Sequence, residues 1–89
     1  MHIGDIEQPI TLCTEQGEIE GIPAQFDIED WGLKFLGFYI GTAWITPALF
    51  AQMAIDGELE RQTGIVNAWW AEEGEREYRR GVYARIAAE

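Results

Sequence analysis

The sequence predicts an α+β fold in which an N-terminal antiparallel sheet of three or four strands is packed by two or three C-terminal helices. Apolar and polar residues alternate through much of residues 10–29, as in strands with one buried face. From Thr46 onward a helix-capping signal is followed by apolar residues at helical spacing. Helices placed after the strands can cover the apolar face of the sheet. The 89 residues suffice for a single domain, residues 1–89.

The alternating segments predict three short strands. Residues 10–14 alternate, and after a turn residues 18–20 alternate again, which is a hairpin signature. Gly21 and Pro23 then interrupt the run, and residues 25–29 form a third extended piece.

Alternation across these strands predicts an acidic face. If Ile19, Phe26 and Ile28 face the core, their acidic neighbours must face away from it. These outward acids are Glu18, Glu20, Asp27 and Glu29. Residues two apart on a strand are about 6.6–6.8 Å apart, which is comparable with the spacing of consecutive phosphates in a nucleic acid. Such a face could dock on a Lys- and Arg-rich protein surface in place of nucleic acid. The alternative is an ordinary solvated sheet face.

Residues 33–45 are predicted to form one strand, because aromatic and branched residues surround Gly37 and Gly41 as in a twisted or bulged strand. The uncharged run 35–55 is also long enough to cross a bilayer. The glycines and the capping signal inside it favour a core strand followed by a helix.

The helices begin at Thr46, a capping residue followed by Pro47 at the first helical position. This helix should continue to Ile55 and stop at Gly57. A second helical stretch should begin around Glu58, or after Gly64, and run toward Ala88.

Apolar residues four apart mark one stripe of this second stretch: Tyr78, Val82 and Ile86. Glycines that could divide the stretch are Gly64, Gly74 and Gly81. Its spacing also predicts two surface ion pairs, Glu72 with Arg76 and Glu75 with Arg79.

Charged residues are unevenly distributed along the chain. The net charge is −10, and eight carboxylates precede the first Lys or Arg, which is Lys34. A chain of this sign is a poor match for nucleic acids and anionic membranes, and favours a basic-surfaced protein partner. With one cysteine, Cys13, and no basic or apolar leader at the N-terminus, we expect a cytoplasmic protein.

Tryptophans supply candidate apolar anchors beside the acids. Trp31 directly follows Asp30. Trp69 and Trp70 are adjacent, so on a helix they cannot both occupy the centre of a narrow core stripe. The pair could therefore lie in a broad core or contribute to an interface. The predicted partner-binding residues are Glu18, Glu20, Asp27, Glu29, Asp30, Trp31, Trp69 and Trp70.

The sequence gives no reason to expect an enzyme, a cofactor or a metal site. It contains no serine, and its only histidine and cysteine are His2 and Cys13. Residues 27–32 resemble the opening of a calcium loop, but Trp31 and Phe38 occupy positions that require oxygen ligands.

In its size, its acidity and its lack of catalytic groups, the chain resembles the small acidic proteins that bacteriophages use against host defence, anti-CRISPR proteins among them. The resemblance covers the whole chain and rests on those properties rather than on a motif. It implies inhibition of a CRISPR effector or nuclease through its nucleic-acid-binding or subunit surfaces. Two alternatives are an immunity protein or antitoxin, and a virion or assembly protein that self-associates through its Trp-bearing helices.

Overall fold

In the computed structural model the backbone is described for residues 4–88 and the side chains for residues 4–81. The chain forms a four-stranded antiparallel sheet in the order β1-β2-β3-β4, followed by helices. The strands are β1 (Gly4–Thr14), β2 (Gly17–Glu29), β3 (Gly32–Ile40) and β4 (Ala43–Ile45). The helical elements are α1 (Pro47–Met53), α2 (Glu58–Trp69), a π-helical turn (Trp70–Gly74) and α3 (Glu75–Ala88). The predicted α+β fold class is confirmed.

The first hairpin is longer than predicted, because residues 18–20 and 25–29 belong to one strand. Gly21 and Pro23 lie inside β2 and do not end it. The pairing shifts so that Glu20 and Gly21 stand opposite the single residue Thr11. This β-bulge is compatible with Gly21, whose φ is +69°.

The predicted strand over residues 33–45 is in fact two strands, β3 and β4, joined by a turn at Gly41 and Thr42. A second bulge in β3 leaves Leu36 between the pairs Phe26–Phe35 and Gln25–Gly37. At Gly37 (φ +138°) a side chain would collide with the Ile45 carbonyl and the Trp44 indole. The glycine therefore permits the close approach of β4.

The core lies between one face of the sheet and the helices. We call this the inner face, and the opposite one the outer face. Phe26, Phe38 and Phe50 are completely buried, and Phe35 packs edge-on against Phe50 with ring centroids 5.8 Å apart. The rest of the buried apolar set is Ile10, Leu12, Ile22, Ala24, Ile28, Leu33, Ile45, Val66 and Trp70.

Helix α1 begins where predicted. The Thr46 side chain accepts a hydrogen bond from the Leu49 amide at 3.1 Å, and Pro47 occupies the first turn. The helix ends at Met53, before the predicted stop at Gly57. Gly57 instead adopts a left-handed conformation immediately before α2 (φ +81°).

A polar network attaches the start of α2 to Thr11 of β1, opposite the bulge in β2. Glu58 is only 3% exposed and accepts hydrogen bonds from Arg61 at 2.9 and 3.0 Å and from Gln62 at 2.7 Å. The Gln62 carbonyl oxygen in turn accepts from the Thr11 amide at 3.1 Å. The hydrogen bond from Arg61 lowers the pKa of Glu58, with a further contribution from Gln62 that acts against the effect of burial.

The long helical stretch is interrupted by a π-helical turn and not by a break at any glycine. Trp69 packs over Gly74, where a Cβ atom would overlap the indole. Arg79 pairs with Glu75 at 2.8 Å, as predicted. Arg76, in contrast, donates to the backbone carbonyl of Glu72 at 2.6 Å. Of the predicted apolar stripe, Val82 and Ile86 lie outside the described side chains.

The uncharged run 35–55 is divided among β3, β4 and α1. Within the described residues, no helix is both long enough and apolar enough to span a membrane.

Candidate protein-binding surface

In the part of the chain that the structure describes, no helix lies on the outer face of the sheet, because α1, α2 and the π-helical turn contribute to the core on the inner face. Cross-strand partners in an antiparallel sheet share a face, so the pairing assigns each residue to one face or the other. One group of carboxylates lies at the end of the outer face next to the turn between β2 and β3, and aromatic residues and a second group of carboxylates lie toward the other end.

The acidic end is formed by two neighbouring strands. Asp5 of β1 stands directly opposite Asp27 of β2, and Glu7 stands opposite Gln25. Glu29 follows two residues after Asp27 on the same face. We call these four carboxylates, Asp5, Glu7, Asp27 and Glu29, the Asp27 cluster.

Some of this charge is offset within the sheet. Lys34 of β3 is the register partner of Asp27 on its other side. The Gln25 amide donates to a Glu7 carboxylate oxygen at 3.0 Å. Asp5, Asp27 and Glu29 also take part in hydrogen-bonding or electrostatic interactions within the protein. The four carboxylates still outnumber the cations set against them, so this end of the face remains negative.

Asp5 and Glu7 were not among the predicted binding residues, since the first strand was predicted to begin at residue 10. The signal was present in the alternation of Asp5, Ile6 and Glu7, which continues the period of two seen in β1. Extending the strand back to Gly4 would have placed both acids on the outer face.

Glu18 and Glu20 share the outer face with Asp27 and Glu29 but lie far from them. The bulge reverses the alternation between Ile19 and Ile22, and this brings all four acids to one side. Glu20 and Asp27 are seven positions apart along β2, a distance of about 20 Å. Glu15, Glu18 and Glu20 therefore form a separate group, the Glu18 cluster, at the opposite end of the hairpin.

The turn between β2 and β3 presents two predicted binding residues together. Asp30 is exposed, and Trp31 is 70% exposed, the largest exposed fraction among the large apolar side chains. Aromatic side chains are enriched at protein interfaces, where they often contribute much of the binding free energy. The Asp27 cluster and this turn form a continuous acidic surface with an aromatic tip.

The turn is held against α2 by Asn67. Its amide oxygen accepts from the Leu33 amide at 2.8 Å, and its amide nitrogen donates to the Leu33 carbonyl at 3.0 Å. A Cβ atom at Gly32 would collide with the Asn67 oxygen, so glycine allows this approach. These contacts fix the backbone that carries Trp31.

An open cleft of about 520 Å³ lies between this turn and the start of α3. Its lining includes four of the predicted binding residues: Glu29, Asp30, Trp31 and Trp70. Across from the turn, Glu75, Tyr78 and Arg79 of α3 complete the wall. We call this space the turn cleft.

The two adjacent tryptophans both pack against the core. Trp70 is 6% exposed and contacts the ring of Tyr78, with centroids 6.0 Å apart. Trp69 is half-buried over Gly74. A self-associating helix face built on both tryptophans would need side chains that the fold already uses, although an edge of Trp70 reaches the turn cleft.

Aromatic residues occupy the other end of the outer face. Tyr39 and Trp44 are opposite each other on β3 and β4, with ring centroids 4.9 Å apart. Tyr39 is 63% exposed. Pro9 and Pro23, which are also paired and exposed, continue this apolar area toward the edge strand.

Within residues 4–88, no three His, Cys, Asp or Glu side chains gather in a way that could hold a metal ion. The half-buried Cys13 lies in β1, and its carbonyl accepts a hydrogen bond from the Ile55 amide at 3.0 Å. Comparisons with protein-family models, with curated proteins and with solved structures found no match to this chain.

Proposed function

We propose that this protein is an acidic inhibitor that docks on the basic, nucleic-acid-binding surface of a larger protein and thereby excludes nucleic acid. The observation that carries the proposal is the Asp27 cluster, four carboxylates on adjacent strands of an uncovered sheet face. Asp5 directly opposite Asp27 is a like-charge cross-strand pair, which lowers sheet stability. A like-charge pair that adds no stability to the sheet is consistent with a role of these carboxylates in binding a partner.

The spacing of the cluster suits a partner that normally binds phosphates. Carboxylates two residues apart on a strand are separated by about 6.6–6.8 Å, and neighbouring strands by about 4.8 Å. Arg and Lys side chains arranged along a nucleic-acid backbone would meet charges at comparable intervals. Complementary charge would also accelerate association.

The proposal extends to a phage anti-defence inhibitor of the anti-CRISPR type acting in the cytoplasm, where nucleic-acid-handling proteins are found. Its support is the combination of small size, net charge −10 and an acidic sheet face.

The first test is capture of partners from a nuclease-treated bacterial lysate on the tagged protein, followed by a competition assay. A captured protein should bind a fluorescent DNA or RNA duplex, and the acidic protein should displace that duplex. Displacement should weaken as salt screens the contact.

Two double variants with equal charge change locate the surface. Asp27→Asn with Glu29→Gln should weaken displacement by tenfold or more, whereas Glu15→Gln with Glu18→Gln at the other end should have little effect. Circular dichroism checks that both variants fold. The proposal would be contradicted if only the tagged protein were recovered, or if the captured protein kept its duplex. Equal loss of duplex displacement in the two variants would also contradict it.

A further inference from the structure

The turn cleft combines aromatic walls with an excess of negative charge. Trp31 stands at one side, and the Trp70–Tyr78 ring pair stands at the other. Among the described residues, Trp31 forms no ring pair with Trp70 or Tyr78, so its indole borders the space without being stacked on the opposite rings. A planar group could therefore lie against the Trp31 indole.

The charge of the lining favours a cation. Glu29, Asp30 and Glu75 contribute three carboxylates, and Arg79 contributes the single guanidinium. Arg79 is already paired with Glu75 at 2.8 Å. Glu29 also takes part in interactions within the protein. The carboxylate that faces a ligand at the turn is therefore mainly that of Asp30, which is exposed next to Trp31.

We propose that the turn cleft receives one arginine side chain of a protein partner, with the guanidinium stacked on Trp31 and donating hydrogen bonds to Asp30. This inference rests on the proposed function, for which it names a specific contact. An aromatic face attracts a cation, and a planar guanidinium can stack while it donates in its own plane to a carboxylate. A lysine ammonium would lack the stacking surface.

The cleft is formed before any partner arrives. Asn67 fixes the backbone at Leu33, which holds the turn. On the other side, the Tyr78 hydroxyl lies over Gly4, where a Cβ atom would approach it to 2.7 Å. Because both walls are anchored to the sheet, binding requires little ordering of the site itself.

A titration with argininamide tests the contact without any partner protein. Citrullinamide, in which a neutral urea replaces the guanidinium, serves as the matched control ligand. In ¹H–¹⁵N NMR spectra, argininamide at roughly millimolar concentration should give saturable shifts at the Trp31 indole and the Gly32 amide. Citrullinamide should give none, and the Trp44 indole should not respond to either ligand.

Matched variants separate the cleft from the general acidity of the protein. Trp31→Ala should weaken argininamide binding by about three- to fivefold, whereas Trp44→Ala should leave it unchanged. Asp30→Asn should weaken it more than Asp56→Asn, which removes one exposed charge from the α1–α2 connection. Trp31 and Asp30 are exposed, so these variants should fold normally.

The outcomes distinguish this inference from the proposed function. Saturable, guanidinium-dependent shifts that Trp31→Ala reduces would support the inference, even if no nucleic-acid competition were found. Absence of such shifts, equal shifts with citrullinamide, or equal effects of Asp30→Asn and Asp56→Asn would overturn it. In that case, displacement of a duplex through the Asp27 cluster would still stand.

Discussion

Glu58 is a carboxylate buried in a protein whose other acids lie mostly at the surface. It is 3% exposed, and Arg61 and Gln62 satisfy its oxygens. Gln62 carries the network to the Thr11 amide, which lies opposite the bulge residues of β2. A single acidic residue thus links the start of α2 to the irregularity that defines the outer face.

Replacing Glu58 with Gln should destabilise the protein by on the order of 1 kcal/mol at neutral pH, because charged hydrogen bonds are lost. Its pKa in the folded protein lies below the ordinary value of 4.5, with Arg61 as the main cause. The charged form therefore adds stability above that value, and this stability is lost as the pH falls through the folded pKa.

Urea unfolding of the parent and Glu58→Gln at neutral and acidic pH measures this effect. The difference between the two proteins should shrink on acidification below 4.5. Glu60→Gln, at an exposed position on the same helix, is the control and should have little effect. A difference that is independent of pH would contradict the assignment.

Asn67→Ala should destabilise the protein by about 1–3 kcal/mol, because it removes the partners of the Leu33 amide and carbonyl. Hydrogen exchange at the Leu33 amide should accelerate in the variant. Gln52→Ala, at an exposed position of α1, provides the comparison. Equal stability of both variants would show that Asn67 does not hold the turn.

At the scale of elements, two glycines of the long helical stretch have opposite surroundings. Gly64 lies in α2 with open space where a side chain would project, whereas Gly74 ends the π-helical turn beneath Trp69. Glycine has low helix propensity, so its retention at Gly74 is explained by the Trp69 contact. Nothing in the described structure requires glycine at position 64.

Gly64→Ala should therefore stabilise the protein by about 0.5–1 kcal/mol, since alanine favours the helix and restricts the unfolded chain. Gly74→Ala should destabilise it by about 1–3 kcal/mol through overlap with the Trp69 ring. Thermal and urea unfolding of the two variants measure both changes. The same sign for both would contradict the described packing at Trp69.

At the scale of the whole molecule, the net charge of −10 opposes folding through self-repulsion. The Asp27 cluster and the Glu18 cluster lie at opposite ends of the hairpin, so each is repelled mainly by its own members. Acids far from each other in the sequence meet within a cluster, as Asp5 and Asp27 do.

Raising NaCl from about 0.01 M to about 0.15 M should therefore increase the free energy of unfolding, because the screening length shortens from about 30 Å to about 8 Å. Urea unfolding at each salt concentration tests this. The variant with Glu18→Gln and Glu20→Gln should show a weaker salt dependence. A decrease in stability with salt would mean that internal ion pairs dominate over repulsion.

Local patterns in the sequence were sufficient for the fold class, the capped start of α1 and the pairing of Glu75 with Arg79. Each depends on residues that are close in the chain, where alternation, capping and helical spacing act directly. The same local patterns wrongly divided β2 into two strands and wrongly joined β3 and β4 into one. Bulges and tight turns there change the strand path in ways that depend on distant partners.

The negative charge, the order of strands before helices and the outward direction of the acids on β2 follow from patterns within short stretches of the sequence. Which of these acids are neighbours depends on how the strands pair. Strand pairing places Asp5 opposite Asp27, whereas Glu18 and Glu20 lie near the other end of β2. Trp31 and Trp70, likewise, meet at one cleft because Asn67 docks the turn on α2. Proximity across the fold comes from pairing and packing between segments that are far apart in the chain.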